Sequence, residues 1–213
     1  MTKKEEWLAG TRSAVPIMLG YVPVGIAYGV MARQAGLNTW QTVLMSLTVY
    51  GGASEMMAAG MVAQGAAVLT IVLTTFILNL RHIIMSTCVF NQMQGGRLPV
   101  RMLAAFGVTD ETFAVYTTTA NAPRTPRYFF SMALCSYLSW ALGSWLGAIA
   151  TGLLPPLITA ALGISLYAMF IGLLMPGLHG NGRLAALVVL TERLTRYPVI
   201  ARVPDHTMES VVR

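Results

Sequence analysis

Charge is scarce in this sequence. Asp, Glu, Lys and Arg together make up 10% of it, against roughly 25% in an ordinary soluble domain. A soluble fold of 213 residues, 55% of them hydrophobic, cannot cover its surface with so few charges. Lipid must replace water over much of that surface, and the mean hydropathy of +0.64 agrees. Cysteine is scarce too. Cys88 and Cys135 lie far apart in apolar stretches, which excludes a disulfide framework and a zinc cluster and leaves two inert thiols. No P-loop, GxGxxG, HExxH or CxxC occurs. The chain therefore offers no ATP site, no dinucleotide site and no zinc-protease ligand pair, and it calls for no cofactor. An enzyme built on His82 with Asp110 would lack a nucleophile and a metal set at recognisable spacing.

What charge there is leans basic, with a formal net charge of +6. The Lys and Arg residues are spread over short connections and the C-terminal tail, without a basic run interleaved with aromatics. That excludes nucleic-acid binding and fits the bias of Lys and Arg toward the cytoplasmic side of a membrane. Residues 1–12 read as a cytoplasmic N-terminal segment, not a cleaved signal peptide: Lys3, Lys4, Glu5 and Glu6 precede an apolar run with no small-residue cleavage pattern. Residues 13–182 read as a helical membrane domain. A helix needs about 20 apolar residues to cross the hydrocarbon core, and 13–32, 43–63, 66–90, 128–150 and 153–175 meet that length. A sixth stretch, 102–119, is shorter and more polar, and either spans or re-enters. Counting Lys and Arg favours spanning, which puts both termini inside but leaves Arg97 and Arg101 on the outside. The expected fold is an all-α integral membrane protein of about six hydrophobic helices.

Breakers crowd these helices. Pro16 and Pro23 interrupt the first, Gly51-Gly52 the second, and Pro155-Pro156 opens the fifth. Backbone groups freed in lipid must be buried in protein or line a wet cavity. Gly25-x3-Gly29 and Gly143-x3-Gly147 suit close helix packing. The two glycine stretches also echo each other, as the starts of two halves related by inverted three-helix topology would.

The chemistry lies in charged residues inside apolar segments, since a charge at the bilayer centre costs at least about 2.5 kcal/mol. Three clusters occur: Glu55 after Gly51-Gly52-Ala53-Ser54; Asn79, Arg81 and His82 in Asn79-Leu80-Arg81-His82; and Asp110 and Glu111 in Thr109-Asp110-Glu111-Thr112. Arg81 suits Asp110 or Glu111, because a guanidinium holds a carboxylate with parallel bonds. One reading is a buried ion pair that fixes helix register. It leaves Glu55, the second acid and His82 without a reason. The other is a polar cavity at mid-membrane: Glu55, Asn79, Arg81, Asp110 and Glu111 bind a zwitterionic solute, and Glu55, His82 or Asp110 carries a proton.

The run 16–28, Gly51-Gly52-Ala53-Ser54-Glu55, Asn79-Leu80-Arg81-His82, Thr109-Asp110-Glu111 and Ala168-Met169-Phe170-Ile171-Gly172-Leu173-Leu174 resembles the AzlC family, the large subunits of branched-chain amino-acid exporters. The resemblance implies proton-coupled export of aliphatic amino acids across the bacterial inner membrane, with a small hydrophobic AzlD-type partner subunit. A structural or assembly subunit without its own solute pathway is the alternative. Family members commonly carry Gln where this chain has Glu55, and they continue with further apolar helix. Here only 184–190 is apolar, and 183–213 reads as a polar tail, truncated, frame-shifted or divergent.

Overall fold

A computed structural model describes residues 2–153. The fifth expected span, Pro155-Pro156, the Ala168–Leu174 motif and the polar tail lie outside the described residues. Those residues form eight helices: α1 (Lys3–Gln34), α2 (Thr39–Thr48), α3 (Gly52–Ala63), α4 (Val68–Asn79), α5 (Arg81–Gln92), α6 (Leu98–Phe106), α7 (Asp110–Thr118) and α8 (Pro126–Ala150). The chain is an all-α membrane protein. Three helical stretches are long and apolar enough to cross a bilayer: Lys3–Gln34, Val68–Gln92 and Pro126–Ala150.

Local chemistry sets many of the helix starts. Thr2 with Glu5 and Asn38 with Gln41 make reciprocal capping boxes ahead of α1 and α2, and Thr109 with Thr112 does the same for α7. Thr125 caps α8, where Pro126 occupies the first position that needs no N–H. Pro16 and Pro23 do not interrupt α1, contrary to expectation; the helix continues through both. Each proline removes one N–H, from the carbonyls of Arg12 and Leu19, and the bonds on either side hold the rod together.

α1 and α8 form the centre. They run parallel: Trp7 and Ser13 lie beside Ser131 and Tyr128, and farther along Gly25 and Gly29 lie against Gly143 and Gly147. A Cβ on Gly25 would stand 3.0 Å from the Trp140 carbonyl oxygen, and one on Gly143 would stand 2.7 Å from that of Val22. Absent side chains let the two backbones touch. The glycine echo is thus two faces of one parallel crossing, not, as expected, the starts of two inverted halves, whose first helices would run antiparallel.

The stretch 98–118 turns back. Both connections that flank it meet: the Gln94 N–H donates to the Arg124 carbonyl at 2.6 Å, and Gly96 lies against Pro126. Helices α6 and α7, nine residues each, are too short to cross singly and form a re-entrant hairpin. The charge count favours a span only where 93–97 lies opposite 119–125, whereas the two are hydrogen-bonded neighbours. Among the described residues the near side, marked by Lys3 and Lys4, also holds Arg12, Arg97, Arg101, Arg124 and Arg127, and the far side holds Arg33.

The stretch 43–63, expected as one span, is instead the two short helices α2 and α3 broken at 49–51, which enter from the far side and return to it. Val68–Gln92 ends near Arg124, and its 25 residues carry its start about 37 Å away. The connection 64–67 puts the end of α3 there, and α2 starts there after α1. The Ser46 and Glu55 side chains touch across the bend between the two helices. A span followed by a hairpin (α1 with α2–α3) is therefore repeated upside down (α4–α5 with α6–α7).

Candidate functional site

Each charged cluster found in the sequence sits where a helix breaks. At 49–51 the chain leaves helix geometry. Tyr50 has φ +46°, a left-handed conformation unusual for a bulky residue, and Gly51 opens α3 without a side-chain cap. At Leu80 the helix continues in direction, but Leu80 N–H bonds to Ile77 O and Ile83 N–H to Leu80 O, the tighter three-residue spacing. At 107–109 the near-side hairpin turns. The N-termini of α3 and α7 thus lie midway along α1 and α8, and the two helices leave in opposite directions.

The structure joins Arg81 to Asp110: Nη2 lies 2.9 Å from Oδ2, with the side chains 36% and 29% exposed. Arg81 Nε and Asn79 Oδ1 are buried without hydrogen-bond partners, and the Asn79 amide faces Gly51. His82 is half-buried next to Arg81. Glu111 does not join Arg81. The Tyr21 hydroxyl donates to its Oε2 at 2.6 Å and lies 2.7 Å from Thr109 Oγ1.

Glu55 is 0% exposed, and no Lys or Arg among the described residues pairs with it. Its Oε1 accepts the Gly51 N–H at 2.8 Å, so the carboxyl folds back onto the N-terminus of its own helix. Its Oε2 accepts the Trp140 indole N–H at 3.2 Å and lies 2.9 Å from Ser46 Oγ.

An aromatic wall links the two buried acids. Trp140 stacks on Tyr28 at 6.0 Å between centroids and meets Tyr21 edge-on at 5.3 Å. Tyr50 packs against Tyr21, Phe106 and Tyr137, and its buried hydroxyl has no partner. Sequence reasoning did not single out Tyr21, Ser46, Tyr50, Trp140 or Ser144. The usable signal was position: Tyr and Trp favour the ends of spans, whereas Tyr21 and Trp140 lie well inside α1 and α8.

Among the described residues, no group of His, Cys, Asp and Glu is arranged to hold a metal ion. The arrangement offers instead a cation and an anion that are close and partly open, two helix N-termini, and orphaned donors and acceptors beside an aromatic surface. That suits a small ligand carrying both charges.

The family model described as AzlC protein matches residues 16–154. The chain is 33% identical over 189 residues to an uncharacterized membrane protein of Archaeoglobus fulgidus, covering 88% of this chain and 83% of that one. It is 29% identical to the inner membrane protein YgaZ of Escherichia coli, covering 88% and 80%. It is 27% identical to the branched-chain amino acid transport protein AzlC of Bacillus subtilis, covering 70% and 61%. No solved structure matches.

Proposed function

The chain belongs to the AzlC family, and from that premise we propose that it carries branched-chain or related aliphatic amino acids out across the bacterial inner membrane. The carrying observation is the Arg81–Asp110 pair at 2.9 Å, set between two half-helix N-termini that leave the bilayer centre in opposite directions. Broken helices whose N-termini face mid-membrane suit an amino acid's carboxylate. Opening the pair frees a guanidinium for that carboxylate and Asp110 for the ammonium. The orphaned Asn79 Oδ1 adds an acceptor for the same ammonium, and the aromatic wall offers an apolar face to the side chain. Glu111 stands one residue along and holds Tyr21 in place.

Transport is secondary-active, since the chain has no nucleotide motif, and protons are the coupling ion, with Glu55, His82 and Asp110 as candidate carriers. Concentration of Lys and Arg on the near side supports a cytoplasmic N-terminus. Helix α4, with no buried residue, leaves an apolar face for lipid or for a small AzlD-type subunit.

Reconstitution tests the reading. Proteoliposomes holding the chain and its partner should move labelled valine or leucine, and Arg81→Ala or Asp110→Ala should each cut the rate at least tenfold, since each leaves the other charge unpaired. Unchanged rates in both variants would sink the site. No transport by wild type, with or without partner, would favour an assembly role instead.

A further inference from the structure

Four oxygens form an unbroken line in the buried contact of α2, α3 and α8. Glu55 Oε2 lies 2.9 Å from Ser46 Oγ, Ser46 Oγ lies 2.8 Å from Ser144 Oγ, and Ser144 Oγ lies 2.9 Å from the Trp140 carbonyl oxygen. Glu55, Ser46 and Ser144 are all 0% exposed. Each of the three links needs a hydrogen. A serine hydroxyl supplies one hydrogen, a carbonyl supplies none and an ionised carboxylate supplies none. Two serines therefore cover two links. With Glu55 ionised, one pair of buried oxygens would face each other at hydrogen-bond distance with lone pairs only.

Neighbouring groups do not make up the shortfall. The Gly51 N–H and the Trp140 indole N–H point at Glu55 itself and take no part in the links. Tyr28 donates to the Thr42 carbonyl. The titratable side chains turned toward Glu55 are phenols: Tyr28 from α1, Tyr50 at the bend and Tyr137 from α8. None brings positive charge.

We propose that Glu55 is held as a carboxylic acid and is the proton-binding site of this molecule, with Ser46 and Ser144 as positioning residues. Glu55 Oε2–H donates to Ser46, Ser46 to Ser144, and Ser144 to the Trp140 carbonyl. Oε2 still accepts from the Trp140 indole and Oε1 from Gly51, so every hydrogen in the line has an acceptor. Loss of the proton breaks the line at its first link and leaves an anion at the bend of the far-side hairpin. Its purpose as a coupling site rests on the transport reading above; the bound proton itself does not.

The same count separates the other acids. At Glu111, the Tyr21 hydroxyl donates to the carboxylate and the Thr109 hydroxyl lies within reach of Tyr21, while Thr112 donates to the Gly107 carbonyl. Three hydroxyls cover the three short links, the other contacts of Thr112 Oγ1, to the Thr109 hydroxyl and carbonyl, being 3.3 and 3.4 Å, and no added proton is required. Asp110 is neutralised by Arg81.

Infrared spectroscopy of the purified full chain in lipid, with no amino acid present, reads this directly. At neutral pH wild type should show the carbonyl stretch of one buried carboxylic acid. Glu55→Gln should remove it, Ser46→Ala should shift it, and Glu111→Gln and Asp110→Asn should leave it. Glutamine keeps an N–H donor toward Ser46 and an oxygen for the Gly51 N–H, so Glu55→Gln retains the three links of the line and gives up only the long Trp140 indole contact of 3.2 Å; circular dichroism verifies that it folds. Absence of the band in wild type, its survival in Glu55→Gln, or its loss in Glu111→Gln would overturn the assignment. An unshifted band in Ser46→Ala would remove the serines from it. A chain that moved no amino acid would still show the band, so the two readings fail separately.

Discussion

Tyr50 combines two costs in one residue. Its backbone is left-handed, and its hydroxyl is buried with no partner, although the whole residue is only 3% exposed. An unsatisfied buried hydroxyl costs about 1–3 kcal/mol, and strain of this kind persists where the surroundings impose it, often at functional sites. Tyr50→Phe keeps the ring contacts with Tyr21, Phe106 and Tyr137 and removes the orphan. It should raise the stability of the purified protein by about 1 kcal/mol, read as a higher melting temperature in detergent. If the hydroxyl meets substrate, the same variant should transport more slowly; equal transport with higher stability would make Tyr50 a merely costly residue. The sequence pointed to Arg81, Asp110, Glu111 and Glu55 because charge in an apolar segment stands out. Tyr21, Tyr50, Trp140, Ser46 and Ser144 do not stand out: each carries its polar atom on an otherwise unremarkable membrane residue, and only distances reveal the partner.

Helices α1 and α8 depend on glycine at their crossing, whereas Gly60 in α3 carries no such burden. Cβ atoms at Gly29 or Gly147 would collide with the opposite backbone, whereas one at Gly60 would meet nothing within 4 Å. Gly29→Leu or Gly147→Leu should destabilise by about 1–3 kcal/mol or more, as overpacking does. Gly60→Ala, inside α3, should be neutral or gain up to about 1 kcal/mol from lower backbone entropy in the unfolded chain. Equal melting temperatures for all three variants would show that α1 and α8 are not in backbone contact. The crossing motif was legible in sequence as two spaced glycine pairs; that they face each other was not, because spacing says nothing about partners. Helix breaks were legible unevenly. Gly51-Gly52 announces one and Gly107 marks another. The break at Leu80 carries neither glycine nor proline, and nothing in its local sequence accounts for it.

Across the whole molecule, what decides topology is whether the stretch 98–118 crosses or turns. Its hydropathy and length leave both open, and charge counting favours crossing because that gathers the termini on one side. The hairpin achieves a stronger separation: Arg97 and Arg101 join Lys3, Lys4, Arg12, Arg124 and Arg127, against Arg33 across the membrane. Among the described residues the positive-inside bias therefore fits the hairpin better than a span. Charge counting from sequence places 93–97 opposite 119–125, and the Gln94–Arg124 bond puts them together. Single cysteines placed in a chain lacking Cys88 and Cys135 discriminate the two. With a membrane-impermeant maleimide, Gly95→Cys and Ala120→Cys should both label from the side that labels Thr2→Cys. Gly36→Cys and Gln64→Cys should label together from the opposite side. Labelling of Gly95→Cys and Ala120→Cys from opposite sides would make 98–118 a full span. The inverted pairing of a span with a hairpin would then be lost, and with it the meeting of two oppositely directed half-helices on which the Arg81–Asp110 site is built.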